Sequence, residues 1–283
     1  MHGVGILTPF YLNMVSLQIQ EGKKVYCISD MHLGFPNATE SRFREMHLIS
    51  WMDQISGDAS DLFLVGDIFD FWFEYKRVVP KGFVRFLGKV AALADHGVRI
   101  HVFVGNHDLW MKDYFIDECQ AAIYRTLTDF EFRFTSNSVR VCIGHGDGIG
   151  PGDYGYKVLK QVFVNPVAQI LFRYLHPDWG VKLAHWWSGT RKSSVIKSGE
   201  VAFNPETDFI VLAVKERIKL DQLADKRIQA YICGHRHHAV SLPMASGVMY
   251  YNLGEWFSPE FKQAHVLEIS EEGFDFGKFQ PIC

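Results

Sequence analysis

The stretch VRIHVFVGNHD, positions 98–108, is a run of β-branched and aromatic residues that stops at a glycine and releases three polar side chains. Such a run reads as a buried strand. The same design recurs. KKVYCIS (23–29) leads into DMHLG, LFLVG (62–66) into DIFDFW, VRVCIG (139–144) into HGD, and QAYICG (229–234) into HRHHA. Each run spills its polar residues just past its C-terminal end, the edge at which open α/β sheets bind ligands.

Helical patterns lie between these runs. One covers 40–56, with apolar Phe43, Met46, Leu48, Ile49 and Met52. A second covers 80–95, opening at Pro80 and stopping before Gly97, and a third covers 206–225. Strands alternating with helices predict an α/β layered fold. The later runs AVSL, GVMYYNLG and AHVLEIS have little helix between them, which predicts a second, more antiparallel sheet.

The segment 151–199 differs from its surroundings. Apolar residues recur there at helical spacing, and aromatics are dense (Phe163, Phe172, Tyr174, Trp179, Trp186, Trp187). Seven basic residues face two acidic ones, Asp153 and Asp178, in a chain of net charge -3. This predicts a helical insertion with its own face, or an amphipathic pair packed on the core with its basic residues in solvent. The core is then 23–150 together with 200–283, and residues 1–22 form an N-terminal extension.

Bulk composition narrows the classes. Of the 283 residues, 48% are hydrophobic and 22% charged, an ordinary globular balance. The slight negative charge argues against a general nucleic-acid binder. Five cysteines at 27, 119, 142, 233 and 283, with no CxxC, indicate neither a disulfide framework nor a zinc ribbon. A reducing compartment fits best. No apolar run approaches the ~20 residues of a membrane span, and the first 20 residues lack the features of a signal peptide.

The polar residues at the strand ends are Asp30 and His32; Asp67; Asn106, His107 and Asp108; His145 and Asp147; His235 and His237. Carboxylate, imidazole and one amide, without thiolate, suit borderline-hard divalent ions. The set is too large for one ion, and two ions sharing a carboxylate fit better. In an extended D-x-H the first and third side chains share a face, so Asp30 and His32 are expected on one ion. His235 and His237 either do the same or straddle two ions where the loop turns. Two divalent ions facing two carboxylates leave the site cationic, which favours a phosphate ligand. His107 is expected to donate a proton or hydrogen bond to a phosphoryl or leaving-group oxygen, with Asp108 orienting its ring. Cys27, Cys142 and Cys233 sit inside strands and are expected to be small buried hydrophobes.

With its pattern Asp30-Met-His32, Gly66-Asp67, Gly105-Asn106-His107-Asp108, Gly144-His145 and Gly234-His235-Arg-His237, the chain resembles the calcineurin-like metallophosphoesterase superfamily over about residues 23–255. The resemblance implies a four-layer sandwich, two mixed β-sheets face to face with helices outside, here with a helical cap inserted. It also implies a division of ligands. Asp30, His32 and His237 would hold one metal, Asn106, His145 and His235 the other, and Asp67 would bridge. Mn²⁺ is the leading choice, with Fe²⁺, Ni²⁺, Zn²⁺ and Mg²⁺ as the others.

Within the superfamily the chain most resembles the UDP-2,3-diacylglucosamine diphosphatases of lipid A synthesis in Gram-negative bacteria. GDIFDFW (66–72), HGD followed by GDYGY (152–156), NPVAQILF (165–172) and the place of the insertion carry that likeness. It implies release of UMP and 2,3-diacylglucosamine 1-phosphate from a nucleotide-sugar lipid whose acyl chains the insertion encloses. Asp153 and Tyr156 match positions that contact the glucosamine part, and Arg191, Lys192 and Ser193 resemble a polar cluster there. Many members carry Arg where His107 stands. The basic, aromatic insertion also suits an anionic membrane surface, giving a cytoplasmic protein peripheral to the inner membrane. Two other readings remain: a phosphodiesterase or phosphatase for soluble nucleotides or phosphoproteins, and a metal-free binding module that kept only the fold.

Overall fold

The computed structural model describes residues 14–151, 154–174, 176, 179 and 203–280. Strands β2 (Lys24–Ile28), β3 (Ala59–Val65), β4 (Arg99–Phe103) and β5 (Ala122–Tyr124) run parallel, and β11 (His265–Ser270) and β12 (Gly273–Lys278) extend that sheet antiparallel beyond β2. A second sheet has the order β1 (Val15–Gln18), β6 (Thr128–Arg133), β7 (Ser138–Ile143), β8 (Ala230–Cys233), β10 (Met249–Leu253), β9 (Ala239–Pro243).

Strand alternation builds the layers. In β3, Phe63 and Val65 point between the sheets, where they meet Phe130, Phe132, Val141 and Ile143 of the second sheet. Leu62 and Leu64 point the other way. They pack under Leu48, Trp51 and Met52 of α1 (Ala38–Ile55) and Phe86 and Val90 of α2 (Val84–Asp95). On the far side, Tyr231 and Cys233 of β8 pack under Ile210, Val211 and Val214 of a later helix, Phe209–Leu223. Helices, sheet, sheet, helix therefore stack as the four expected layers. Cys27, Cys142 and Cys233 are all buried within these cores.

Three expectations need correction. Of the C-terminal strands, β9 and β10 pair antiparallel within the second sheet as expected, but β11 crosses to pair with β2 of the first. Leu267 and Ile269 of β11 thereby fill the space between the sheets. Val15–Gln18, placed by the sequence in the extension, forms edge strand β1 beside β6. The helix expected from Pro80 begins at Val84, after Phe83 takes left-handed backbone (φ 56°).

Helix α1 also presents an unexpected face. Phe43 and Met46 are exposed, while Ser41, Arg44 and Glu45 are buried. These polar residues are used as anchors. Ser41 Oγ accepts from Gly34 N, Glu45 accepts from Phe86 N, and Arg44 donates to the carbonyls of His32 and Phe35.

Short helices α3 (Tyr114–Cys119), α4 (Tyr154–Val164) and α5 (Pro166–Arg173) complete the described helices with Phe209–Leu223, here α6. Asn165 caps α5, accepting from Val167 N, with Pro166 at its first position. Asp153, Arg191, Lys192, Ser193, Trp186 and Trp187 lie outside the described residues.

Candidate metal centre

Asp30, Asp67 and Asn106 follow β2, β3 and β4 of one sheet, and His145 and His235 follow β7 and β8 of the other. The C-terminal edges of the two sheets thus face each other, and residues 205 positions apart touch. His32 Nε2 and His237 Nε2 stand 3.2 Å apart. His235 Nδ1 lies 2.7 Å and His145 Nε2 3.3 Å from Asn106 Oδ1. His32, Asp70 and His107 form one group of ligand type at the side of the site, and two further clusters result: Asp30, His32, Asp67 and His237 in one, and Asp67, His145 and His235 in the other. Asp67 belongs to both. Its Oδ2 is 3.5 Å from His32 Nε2 and 3.4 Å from His145 Nε2.

The local backbone is strained here. Asp30, His32, Asp67, His235 and His237 all adopt positive φ, between 43° and 72°. Residues with a Cβ avoid this region unless their surroundings over-determine it, and such residues gather at functional sites. The D-x-H pair therefore shares a cluster, but through a tight left-handed loop rather than an extended strand. His235 and His237 straddle the two clusters because their loop turns. Two glycines admit this crowding. A Cβ on Gly105 would overlap Asp67, and one on Gly234 would overlap Ser29 and Asp30.

One oxygen of each carboxylate is fastened to protein and the other is not. Asp30 Oδ2 accepts from Ser29 Oγ at 2.6 Å and His235 N at 2.9 Å, and Asp67 Oδ1 accepts from His107 N at 2.8 Å. Among the described residues, Asp30 Oδ1 and Asp67 Oδ2 are buried and accept no hydrogen bond. Buried carboxylate oxygens without donors are costly, and these two point at imidazole nitrogens. His145 Nδ1–H donates to the carbonyl of Val65 at 2.9 Å, which turns Nε2 toward the cluster as the nitrogen that could bind an ion.

Electrostatics carry the same message. Burial would raise the Asp67 carboxyl, but the His145 and His107 imidazoles outweigh it and hold it well below its ordinary range. Burial would lower His145, yet the Asp67 carboxylate beside it holds it well above its usual value. Burial and the charge of His145 then push His235 down to about 3. The cluster calls for positive charge between its carboxylates, and the donor set fits divalent ions.

His107 sits at the rim, half-buried, with its ring 4.7 Å from that of His32. Its Nδ1–H donates to the Asp70 carbonyl at 2.9 Å and lies 3.7 Å from Asp70 Oδ1. Asp70 Oδ1 is also 3.7 Å from His32 Nδ1. The hold on the imidazole thus comes from Asp70, which the sequence reading passed over. A carboxylate three residues beyond Asp67 in DIFD was the available signal. Asp108 does a different job from the one expected. Its Oδ1 accepts from Gly105 N at 2.6 Å and its Oδ2 from Ile68 N at 2.9 Å, so it joins the loops after β3 and β4. Burial, then the nearby Asp67 charge, raise its carboxyl to about 7.

Tyr156 is the one substrate-contact candidate within the described residues. It is buried on α4, its ring 6.5 Å from that of His235, and its hydroxyl donates to Asp147 Oδ2 at 2.6 Å.

Comparison with known proteins agrees with this geometry. A UDP-2,3-diacylglucosamine hydrolase of Porphyromonas gingivalis is 33% identical over 248 residues, 82% of this chain and 90% of that protein. One from Pasteurella multocida is 25% identical over 88% of this chain and 95% of its own length. One from Ectopseudomonas mendocina is 24% identical over 90% and 98%. Residues 23–239 match the Calcineurin-like phosphoesterase family. With that match spanning most of the chain, its two mixed sheets and its paired His/Asp clusters, the protein belongs to the calcineurin-like phosphoesterase family, metal-dependent hydrolases of phosphoesters.

Proposed function

We propose that this chain hydrolyses the diphosphate of a UDP-2,3-diacylglucosamine-type lipid, releasing UMP and 2,3-diacylglucosamine 1-phosphate. The observation that carries the reading is Asp67 Oδ2, buried without a hydrogen bond between His32 and His145 in the zone common to both clusters. The names of relatives that align over most of their length supply the substrate.

Asp30, His32 and His237 would hold one ion and Asn106, His145 and His235 the other, with Asp67 serving both; Mn²⁺ is the first choice. Two such ions supply Lewis-acid chemistry, activating water and neutralising charge on phosphoryl oxygens. The chain's own groups do the rest. Asp30 and Asp67 turn one oxygen each toward the centre because their other oxygens are tied to protein. His107, its ring set by Asp70, gives a proton or hydrogen bond to the departing oxygen. Asp153 and Tyr156 contact the glucosamine part of the substrate, with Arg191, Lys192 and Ser193 as a polar cluster there.

The cap, 151–199, takes the acyl chains and rests on the anionic cytoplasmic face of the inner membrane. Val158, Val167, Leu171 and Tyr174 on or beside its helices are exposed, which suits an apolar surface. No described helix is long and apolar enough to cross a membrane.

The test is UMP release from the lipid with Mn²⁺ present. Wild type turns over, and Asp67→Ala loses at least a thousandfold while remaining folded. Wild-type turnover by Asp67→Ala would sink the mechanism. Failure of wild type on the lipid with rapid cleavage of soluble phosphodiesters would give the soluble-substrate reading instead.

A further inference from the structure

Arg236 lies between His235 and His237, and both histidines are in left-handed backbone, φ 72° and 57°. Two departures of that kind, one residue apart, do not persist alone; something must hold them. The preceding glycine contributes compactness, and Asn252 Nδ2 donates to its carbonyl at 2.6 Å. Arg236 N donates to the same carbonyl at 2.9 Å and His235 N to Asp30 Oδ2 at 2.9 Å, so backbone bonds hold the first half of the turn and leave the Arg236 side chain to be placed.

The Arg236 side chain is held from α6. Asp208 caps that helix, its Oδ1 accepting from Ile210 N at 2.9 Å and Val211 N at 3.1 Å. Its second oxygen, Oδ2, meets Arg236 Nε at 2.6 Å as an ion pair, the angle being poor for a hydrogen bond. The guanidinium also lies over the ring of Phe209, 5.0 Å from its centroid. Phe209 in turn packs against the His235 ring at 6.0 Å. Helix α6 is itself anchored by Ile210, Val211 and Val214 in the outer core. A rigid helix end therefore grips the one residue that separates the two histidines.

We propose that Arg236 is a positioning residue of the metal centre: clamped by Asp208 and Phe209, it holds the turn that makes His235 and His237 straddle the two ligand clusters. A relaxed turn would let both imidazoles swing away, so metal is retained less well although every ligand is present. Arginine suits the task because a planar guanidinium pairs with a carboxylate and covers an aromatic face at once, which lysine does less well.

The inference rests on the two-ion reading above. Its test is Mn²⁺ binding to the metal-depleted full chain, by calorimetry and by elemental analysis after desalting. Arg236→Met removes the clamp. Asp208→Asn keeps the helix cap, since asparagine caps as well as aspartate, but removes the ion pair. Each is expected to weaken Mn²⁺ binding about 10- to 100-fold, the usual effect of losing a group that orients a ligand. The double variant should be no worse than Arg236→Met. The metal-free variants should stay folded, any fall in melting temperature recording the lost ion pair, and lipid turnover should recover at saturating Mn²⁺.

Unchanged Mn²⁺ affinity in both variants overturns the inference. So does lost turnover at saturating Mn²⁺ with normal affinity, which would mean that Arg236 touches substrate. A wild-type protein that binds no Mn²⁺ would instead remove the two-ion reading itself.

Discussion

Asp147 and Tyr156 join two parts of the molecule: the Tyr156 hydroxyl on α4 donates to Asp147 Oδ2 at 2.6 Å, two residues after His145. Lys160, one turn further along α4, reaches the same oxygen. Helix α4, the start of the proposed cap, is thus tied directly to a loop of the candidate metal centre. Asp147→Asn removes the charge that both groups use, and charge-assisted bonds of this kind are worth about 1.5–3 kcal/mol. The KM for the lipid is expected to rise roughly tenfold. Cleavage of a small soluble phosphodiester, which needs no cap, should stay within about threefold of wild type. Steady-state kinetics on both substrates checks this, and an equal loss on the two would show that the tie serves the metal site alone.

Asp70 faces two imidazoles, lying 3.7 Å from His32 Nδ1 and from His107 Nδ1. Asp70→Asn keeps the carbonyl that binds His107 but loses the charge. Turnover is expected to fall about 10- to 100-fold, as for other groups that orient a ligand or a proton donor. His107→Ala should cost on the order of 100-fold or more in kcat with Mn²⁺ content unchanged. Comparison of kcat with metal stoichiometry separates the two effects.

Because ligands come from both sheets, ions bound between them favour the folded sandwich. Mass action gives about 2.7 kcal/mol at a hundredfold excess over Kd. For a chain of this size that is a rise in Tm of about 5–10 °C. Thermal melts with EDTA and with Mn²⁺ measure it, and coincident melts would mean that wild type does not bind the ion.

Far from the centre, buried Asp61 accepts from Arg99 Nε at 2.7 Å and pairs with His101 Nε2 at 2.9 Å. Burial would raise its carboxyl, but these partners hold it below its ordinary range. A carboxyl depressed by folding stabilises above its unfolded pKa of 3.8, and that contribution is lost as pH falls through the lower folded value. Asp61→Asn should destabilise at pH 7, by about 3 kcal/mol if the buried charges are left unmatched. The difference from wild type should shrink as pH drops below about 4. Urea melts at several pH values read it.

The candidate ligands were legible because each follows a strand and is of a telling residue type, with Asp67, Asn106, His145 and His235 directly after a glycine. The chemistry of Asp30, His32, Asp67 and His237 survives any detail of backbone shape. Their left-handed conformation was not legible, since asparagine and glycine advertise such turns and aspartate and histidine do so weakly. Asp70 was hidden for a related reason: a lone carboxylate in a loop has no periodicity to betray its target. In α1 the apolar pattern pointed to Phe43 and Met46, yet the buried face there is Ser41, Arg44 and Glu45. Tertiary anchoring of the His32 loop overrode amphipathic spacing. The strand swap of β11 likewise follows from how Leu267 and Ile269 fill a gap that only the paired sheets define.

The split of the ligands between the two sheets has a bearing on biosynthesis. His235 and His237 arrive only with β8, so a nascent chain that has emerged through residue 200 carries Asp30, His32, Asp67, Asn106 and His145 but cannot close either cluster. The candidate centre can therefore close only when the last quarter of the polypeptide leaves the ribosome, after residues 151–199 have been made.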